Sequence, residues 1–246
     1  MDNGFFWDTV ETIDRDSVCG FTLYDSSHLI WLAVFVIFAI LLSLIYRQSD
    51  CDHRQAIRYS IALLLIAEEL FKYCIVLHNG IDMLYYLPLQ LCYICIILVI
   101  IHAFTLSNII GNFLYLAGIA AGLSALLFPA WTELPAFANA MSIHSFTSHI
   151  IFVSYIIAMI ANKEIVPSVS TIPVNVSALC LMAGAVYLFN IKFGTNYMYL
   201  IKISSGSPLA PFEALGDYRI GYAIILMALI VVLYLLPLAA RKLTAR

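Results

Sequence analysis

Charge is scarce in this sequence. Asp, Glu, Lys and Arg together make up 11% of the 246 residues, where an ordinary soluble domain has about a quarter. With 63% of positions apolar, no soluble core could absorb so much hydrocarbon, and a water-soluble globular domain is excluded. A basic tract is missing too, so nothing points to nucleic acid as a partner. The segment Met1 to Ser27 carries Asp2, Asp8, Glu11, Asp14, Asp16 and Asp25. It lacks the basic start of a cleaved signal peptide, and it reads as retained. Cysteines offer no disulfide framework: Cys74, Cys92, Cys95 and Cys180 lie inside apolar runs, with Cys19 and Cys51 outside them. There is no internal repeat and no low-complexity tract. The sequence asks for no cofactor and no metal.

What is present is a series of seven apolar runs, at about 29–46, 57–77, 84–101, 109–128, 143–161, 172–190 and 219–238. Each is about 18 to 21 residues, and a helix needs roughly 20 to cross a bilayer core. The expected fold class is all-α, a polytopic membrane helix bundle with seven transmembrane helices. Short connections leave one transmembrane domain over residues 1–246.

Loop charges give this bundle a direction. Arg47, Arg54, Arg58, Lys163, Arg241, Lys242 and Arg246 fall on one side, against Arg15, Lys192, Lys202 and Arg219 on the other. The positive-inside rule puts the N-terminus outside and the C-terminus inside. The longest loop, 191–218, then lies outside. Gly194, Asn196, Pro208 and Pro211 break regular structure there, Tyr197 and Tyr199 suit headgroup depth, and the loop has the makings of a lid.

Ionisable residues within the hydrocarbon cost about 2.5 to 3.5 kcal/mol each on insertion scales, so each is a functional candidate. On this topology Glu68, Glu69 and Lys72 of the second run sit toward the outer face. Lys72 is i,i+4 to Glu68 and i,i+3 to Glu69 and can neutralise only part of their charge, so one carboxylate needs another partner or a proton. Gln90 and Cys92, then Ser145, Ser148 and His149, then His28 and Asn190, reach the same outer layer from four further runs. Pro88 is expected to bend the third run one turn before Cys92. Asn112 falls near the inner end, where an interhelical hydrogen bond is expected.

Plainer readings stand beside these. A Glu–Lys pair can simply lock helices, a lone His can pack through one hydrogen bond, and a buried Cys packs as a small hydrophobe. The Cys92-x-x-Cys95 spacing inside a helix carries no redox meaning by itself. Gly118-x-x-x-Gly122 is explained by close helix packing.

Four stretches carry a resemblance: Thr22-Leu-Tyr-Asp-Ser-Ser-His28-Leu, Leu87-Pro-Leu-Gln-Leu-Cys92, Gly122-Leu-Ser-Ala-Leu-Leu-Phe-Pro129 and Gly194-Thr-Asn-Tyr-Met-Tyr-Leu200. In order and spacing they resemble the bacterial YwaF-like integral membrane proteins, which implies a multi-pass protein of a bacterial plasma membrane. The family usually has His where this chain has Gln90. The YwaF-like proteins are in turn distantly similar to an animal transmembrane acyltransferase that acts on ether lysophospholipids with a cysteine and a histidine. Carried over, that likeness implies Cys92 as nucleophile and His149 as base.

Two functional readings follow. In the first, the chain is a lipid acyltransferase of the outer leaflet. Its catalytic residues would be Cys92 and His149, with Glu69, Lys72, Gln90, Asn190, Asn196, Tyr197 and His28 binding substrate. In the second, the same outward-facing pocket belongs to a carrier or substrate-binding subunit without covalent chemistry, with Glu69 holding a cation or amine. Membrane lipids are partners in either case, and a scaffold role would leave Glu69 and His149 without a purpose.

Overall fold

The computed structural model describes residues 4–9, 11–12, 22–129, 139–203 and 209–235. Asp2, Asp14, Arg15, Asp16, Cys19, Pro208, Arg241, Lys242, Arg246 and the last three positions of the seventh run lie outside the described residues.

Every extended regular element among the described residues is helical: α1 (Gly4–Trp7), α2 (Ser26–Gln48), α3 (Cys51–His78), α4 (Leu91–Thr105), α5 (Asn108–Phe113), α6 (Ile119–Leu127), α7 (Ala140–Ala161), α8 (Ile172–Phe193) and α9 (Ile220–Ile230). A π-helical stretch, Leu114–Gly118, joins α5 and α6 into one rod. Four helical segments are long and apolar enough to cross a membrane: Ser26–Gln48, Asn108–Leu127, Ala140–Ala161 and Val169–Phe193. Helix α3 is longer, at 28 residues, but carries Glu68, Glu69 and Lys72 among its apolar positions. Helix α4 and the segment Ile220–Leu235 are apolar and shorter.

Local chemistry sets the boundaries. Asp25 caps α2 by accepting from the His28 N–H, and that bond holds the Asp25 carboxyl below its ordinary range. Asp50 caps α3 through the His53 N–H, so only Ser49 and Asp50 separate the two helices. Asn139 caps α7 by accepting from Met141 and Ser142 N–H. Pro173 opens α8, and left-handed Gly194 closes it at φ 69°.

The third run differs from the expected 84–101 helix bent at Pro88. Met83–Tyr85 form one 3-10 turn, and α4 begins only at Leu91, after Gln90 in extended conformation. Pro88 has no N–H and pushes Leu87 out of the helical region, so it stops the helix instead of bending it.

Helix α7 is the axis of the bundle. It packs on α2, α3, α4 and the α5–α6 rod, and 72% of its most apolar stretch is buried, against 11% for α8 and 22% for α2. Trp31 of α2 stacks on Phe146 of α7 with ring centroids 5.0 Å apart. The outward faces of α2 and α8 present Leu29, Ile37, Leu41, Val174, Leu181 and Leu188, the apolar exterior that lipid requires.

At one end, Arg58 Nη1 donates to Tyr46 Oη (2.9 Å), which donates to Glu164 Oε1 (3.1 Å), while Arg54 Nε donates to the Tyr46 and Ser49 carbonyls. Arg54 thereby satisfies carbonyls that end α2, and Arg58 Nε donates to the Ala103 carbonyl near the end of α4. Asn112 Oδ1 accepts from Ser168 N–H (2.9 Å) and Thr171 Oγ1 (3.1 Å), and the Asn175 amide donates to the Asn112 carbonyl (3.1 Å). Asn112 therefore ties α5 to α8, the interhelical role expected of it.

Candidate functional site

The other end of the bundle holds the C-terminal half of α3, the start of α4, the first half of α7, the end of α8 and the 195–203 loop. Its chemistry begins on α3. Lys72 is wholly buried, with its ammonium 2.5 Å from Glu69 Oε2 and 3.6 Å from the Tyr93 ring centroid. Two neutralising surroundings are thereby supplied by one helical turn and one aromatic face. Glu69 Oε1 is buried and has no hydrogen-bond partner among the described residues. Glu68 takes a different partner: its Oε2 lies 3.1 Å from His144 Nδ1 on α7. The carboxylate left over by Lys72 is thus served across helices.

Cys92 occupies the first turn of α4, half-buried against the core. The N-terminal end of α4 and the Lys72 ammonium, which interacts electrostatically with Cys92, put positive potential at the sulfur, and the Glu69 carboxylate acts against them. Lys72 also interacts with His149. The His149 Nδ1 lies 2.6 Å from the Ser145 carbonyl. A carbonyl only accepts, so Nδ1 carries the proton and Nε2 keeps its lone pair. That Nε2 is buried with no partner among the described residues. Glu69, Lys72, Cys92 and His149 therefore belong to one electrostatically connected group on α3, α4 and α7.

The remaining expected residues do other work. Gln90 Oε1 accepts from the Met198 N–H at 2.6 Å. Asn190 Oδ1 accepts from Tyr197 N–H and Thr195 Oγ1, and its amide donates to the Tyr197 carbonyl. Tyr197 Oη donates to the Leu84 carbonyl and accepts from Leu87 N–H. Asn196 gathers Ile201 N–H, Lys202 N–H and the Lys202 carbonyl. Together they fold the 195–202 segment back on itself and seat it on the approach to α4. His28 stands apart: Nδ1 accepts from Tyr24 N–H and Nε2 donates to the Leu126 carbonyl at 2.7 Å. Both of its nitrogens are consumed in joining α2 to α6.

Sequence reasoning missed two features. His144 was not singled out, although the unneutralised charge at Glu68 and Glu69 signalled a missing partner. The N-terminal segment was not expected to take part. Yet Asn79 and Asn139 amides donate to the Trp7 and Asp8 carbonyls, and Tyr86 Oη donates to Glu11. Trp7 and Asp8 thus lie across the ends of α3 and α7. Trp7, Cys74, Ile75 and His78 line a cavity of about 420 Å³ there.

No curated protein and no solved structure matches the chain. The TMEM164 family model matches residues 23–236, a stretch that takes in every helix from α2 to α9 and every candidate residue above. On that match this multi-pass, all-helical membrane protein belongs to the TMEM164 family.

Proposed function

We propose that the chain is a membrane acyltransferase acting on phospholipids, with Cys92 as nucleophile and His149 as general base. The observation that carries this reading is the state of His149: one nitrogen fixed as a donor to Ser145, the other bare, buried and unpartnered. An imidazole held in that tautomer is prepared to take a proton. The distant likeness of the YwaF-like proteins, which Leu87-Pro-Leu-Gln-Leu-Cys92 resembles, to an animal transmembrane acyltransferase supports the choice of nucleophile. In the first half-reaction His149 Nε2 takes the thiol proton, and the sulfur attacks the ester carbonyl of a phospholipid. The S–C bond forms, the ester C–O bond breaks, and His149 returns the proton to the departing alcohol. A second lipid hydroxyl then resolves the thioester. Lys72 supplies positive charge to the sulfur, and Gln90, Asn190, Asn196 and Tyr197 build the loop that roofs the site.

The same reading includes seven spans in a bacterial plasma membrane, with the N-terminus outside. It is supported by the gathering of Arg54 and Arg58 with Glu164, next to Lys163, at the end remote from Cys92. The site then faces the outer leaflet.

A second reading, a carrier without covalent chemistry, draws on Glu69 Oε1, a buried carboxylate oxygen with no partner among the described residues that suits a cation or an amine. Mass spectrometry of the detergent-purified protein after incubation with phosphatidylcholine separates the two. The acyltransferase gives an acyl adduct on Cys92, removed by hydroxylamine and absent from C92A and H149A. Full lipid turnover by C92A ends the thioester mechanism.

A further inference from the structure

The described residues hold a second imidazole prepared as His149 is, and the mechanism above leaves it idle. His144 is 1% exposed, its Nδ1 is 3.1 Å from Glu68 Oε2, and its Nε2 is buried with no partner among the described residues. A carboxylate on one ring nitrogen fixes the proton there, bares the other nitrogen and stabilises the imidazolium that forms when that nitrogen takes a proton. His149 has only a neutral carbonyl behind it, so of the two imidazoles His144 is the better built to hold a charge. The two rings interact electrostatically, yet residues 144 and 149 are five positions apart on one helix, which turns them about 140° from each other about its axis. Two imidazoles set at different angles about α7 suit a reaction with two different oxygen partners.

We propose that His144, oriented by Glu68, is the catalytic base of the second half-reaction, and that His149 serves the first. This assignment rests on the Cys92 thioester reading. In the step, the acceptor hydroxyl gives its proton to His144 Nε2 as its oxygen attacks the thioester carbonyl. The new C–O bond forms, the C–S bond breaks with its electron pair going to sulfur, and the proton on His144 passes to the thiolate. Cys92 and both imidazoles are restored neutral, with Glu68 ionised throughout.

The test uses the full chain in detergent, with dioleoyl phosphatidylcholine as donor and deuterated lysophosphatidylcholine as acceptor. Wild-type protein is compared with H144Q and E68Q by intact mass and by deuterated diacyl product. The expected result is that both variants acquire the Cys92 adduct at the wild-type rate and retain it, while deuterated product falls by roughly 100-fold, the scale of a lost general base. Wild-type product formation in both variants overturns the assignment, and so does an equal loss of adduct and product, which marks a structural role. If the wild type itself gains no adduct, the Cys92 reading falls and this one falls with it.

Discussion

Lys72 buries its ammonium against Glu69 within a single turn of α3, 2.5 Å from Oε2, while Glu68 one position earlier turns away to His144. Lys72 lies between Glu68 (i,i+4) and Glu69 (i,i+3) on the helix surface, and its ammonium takes Glu69 while Glu68 takes His144. The pair Lys72–Glu69 is satisfied along the helix and the pair Glu68–His144 between helices. Removing one member of the first pair strands the other. K72M is therefore expected to cost about 3 to 5 kcal/mol, as for other buried ion pairs deprived of one partner. The double variant K72M/E69Q, which strands no charge, is expected to recover more than half of that loss. Thermal unfolding in detergent across the full mutant cycle measures it; additive single effects would show that the two groups do not depend on each other.

Asn190 predicts a different kind of fragility. Its side chain makes three hydrogen bonds to Thr195 and Tyr197 while only 1% exposed. N190L leaves the Tyr197 amide buried without a partner, at about 1 to 3 kcal/mol, and takes from the Tyr197 carbonyl the shorter of its two hydrogen bonds, leaving that from the Leu200 N–H. The loop is expected to release from α4, and limited proteolysis should cut within 194–203 in N190L and spare the parent. Gln90 holds the same loop from the other side through a single acceptor atom. A neutral histidine also offers one acceptor, so Q90H, which installs the residue usual among YwaF-like proteins, should keep the loop protected. Q90L should expose it.

Much of this arrangement was legible in the sequence, and the reason is depth. Alternating helix direction is enough to bring the end of α3, the start of α4, the first half of α7 and the end of α8 to one face. Lys72 of α3 meets Glu69 and interacts electrostatically with Cys92 of α4 and His149 of α7. Rotation about each helix axis was not legible. It decides that Lys72 meets Glu69 and not Glu68, that His144 faces α3, and that His28 spends both nitrogens on Tyr24 and Leu126. Backbone hydrogen bonding was equally hidden: Gln90, Asn190, Asn196 and Tyr197 read as substrate-binding residues, and in the structure their polar atoms hold the loop together.

The two histidines His28 and His149 should separate stability from activity. His28 has both ring nitrogens bonded to backbone, and His149 has one nitrogen bare. H28A breaks the link between α2 and α6 and leaves the Leu126 carbonyl without its imidazole donor, so a loss of about 1 to 3 kcal/mol is expected. H149A removes one donor from the Ser145 carbonyl, which keeps the Ser148 hydroxyl. It should melt close to the parent in detergent while losing Cys92 acylation. Equal melting of the two variants would contradict this division.

Glycine positions give the sharpest test of how tightly the bundle closes. A Cβ on Gly122 of α6 would stand 2.1 Å from Val153 Cγ2 and 2.6 Å from Phe152 Cζ of α7. Val153 is branched at Cβ and Phe152 is wholly buried, so neither can withdraw without moving its helix. G122A should cost about 1 to 3 kcal/mol through overpacking. At Gly118 the nearest atom is Ile156 Cδ1 at 2.8 Å, the mobile end of a longer side chain, and G118A should be milder. Gly184 of α8 has nothing within 4 Å. There alanine gains the helix preference of about 1 kcal/mol over glycine and meets no obstacle. Melting temperatures should therefore rank G122A below G118A below the parent, with G184A at or above the parent. A G184A variant that melts as low as G122A would mean that another surface packs against α8 where the structure leaves it open.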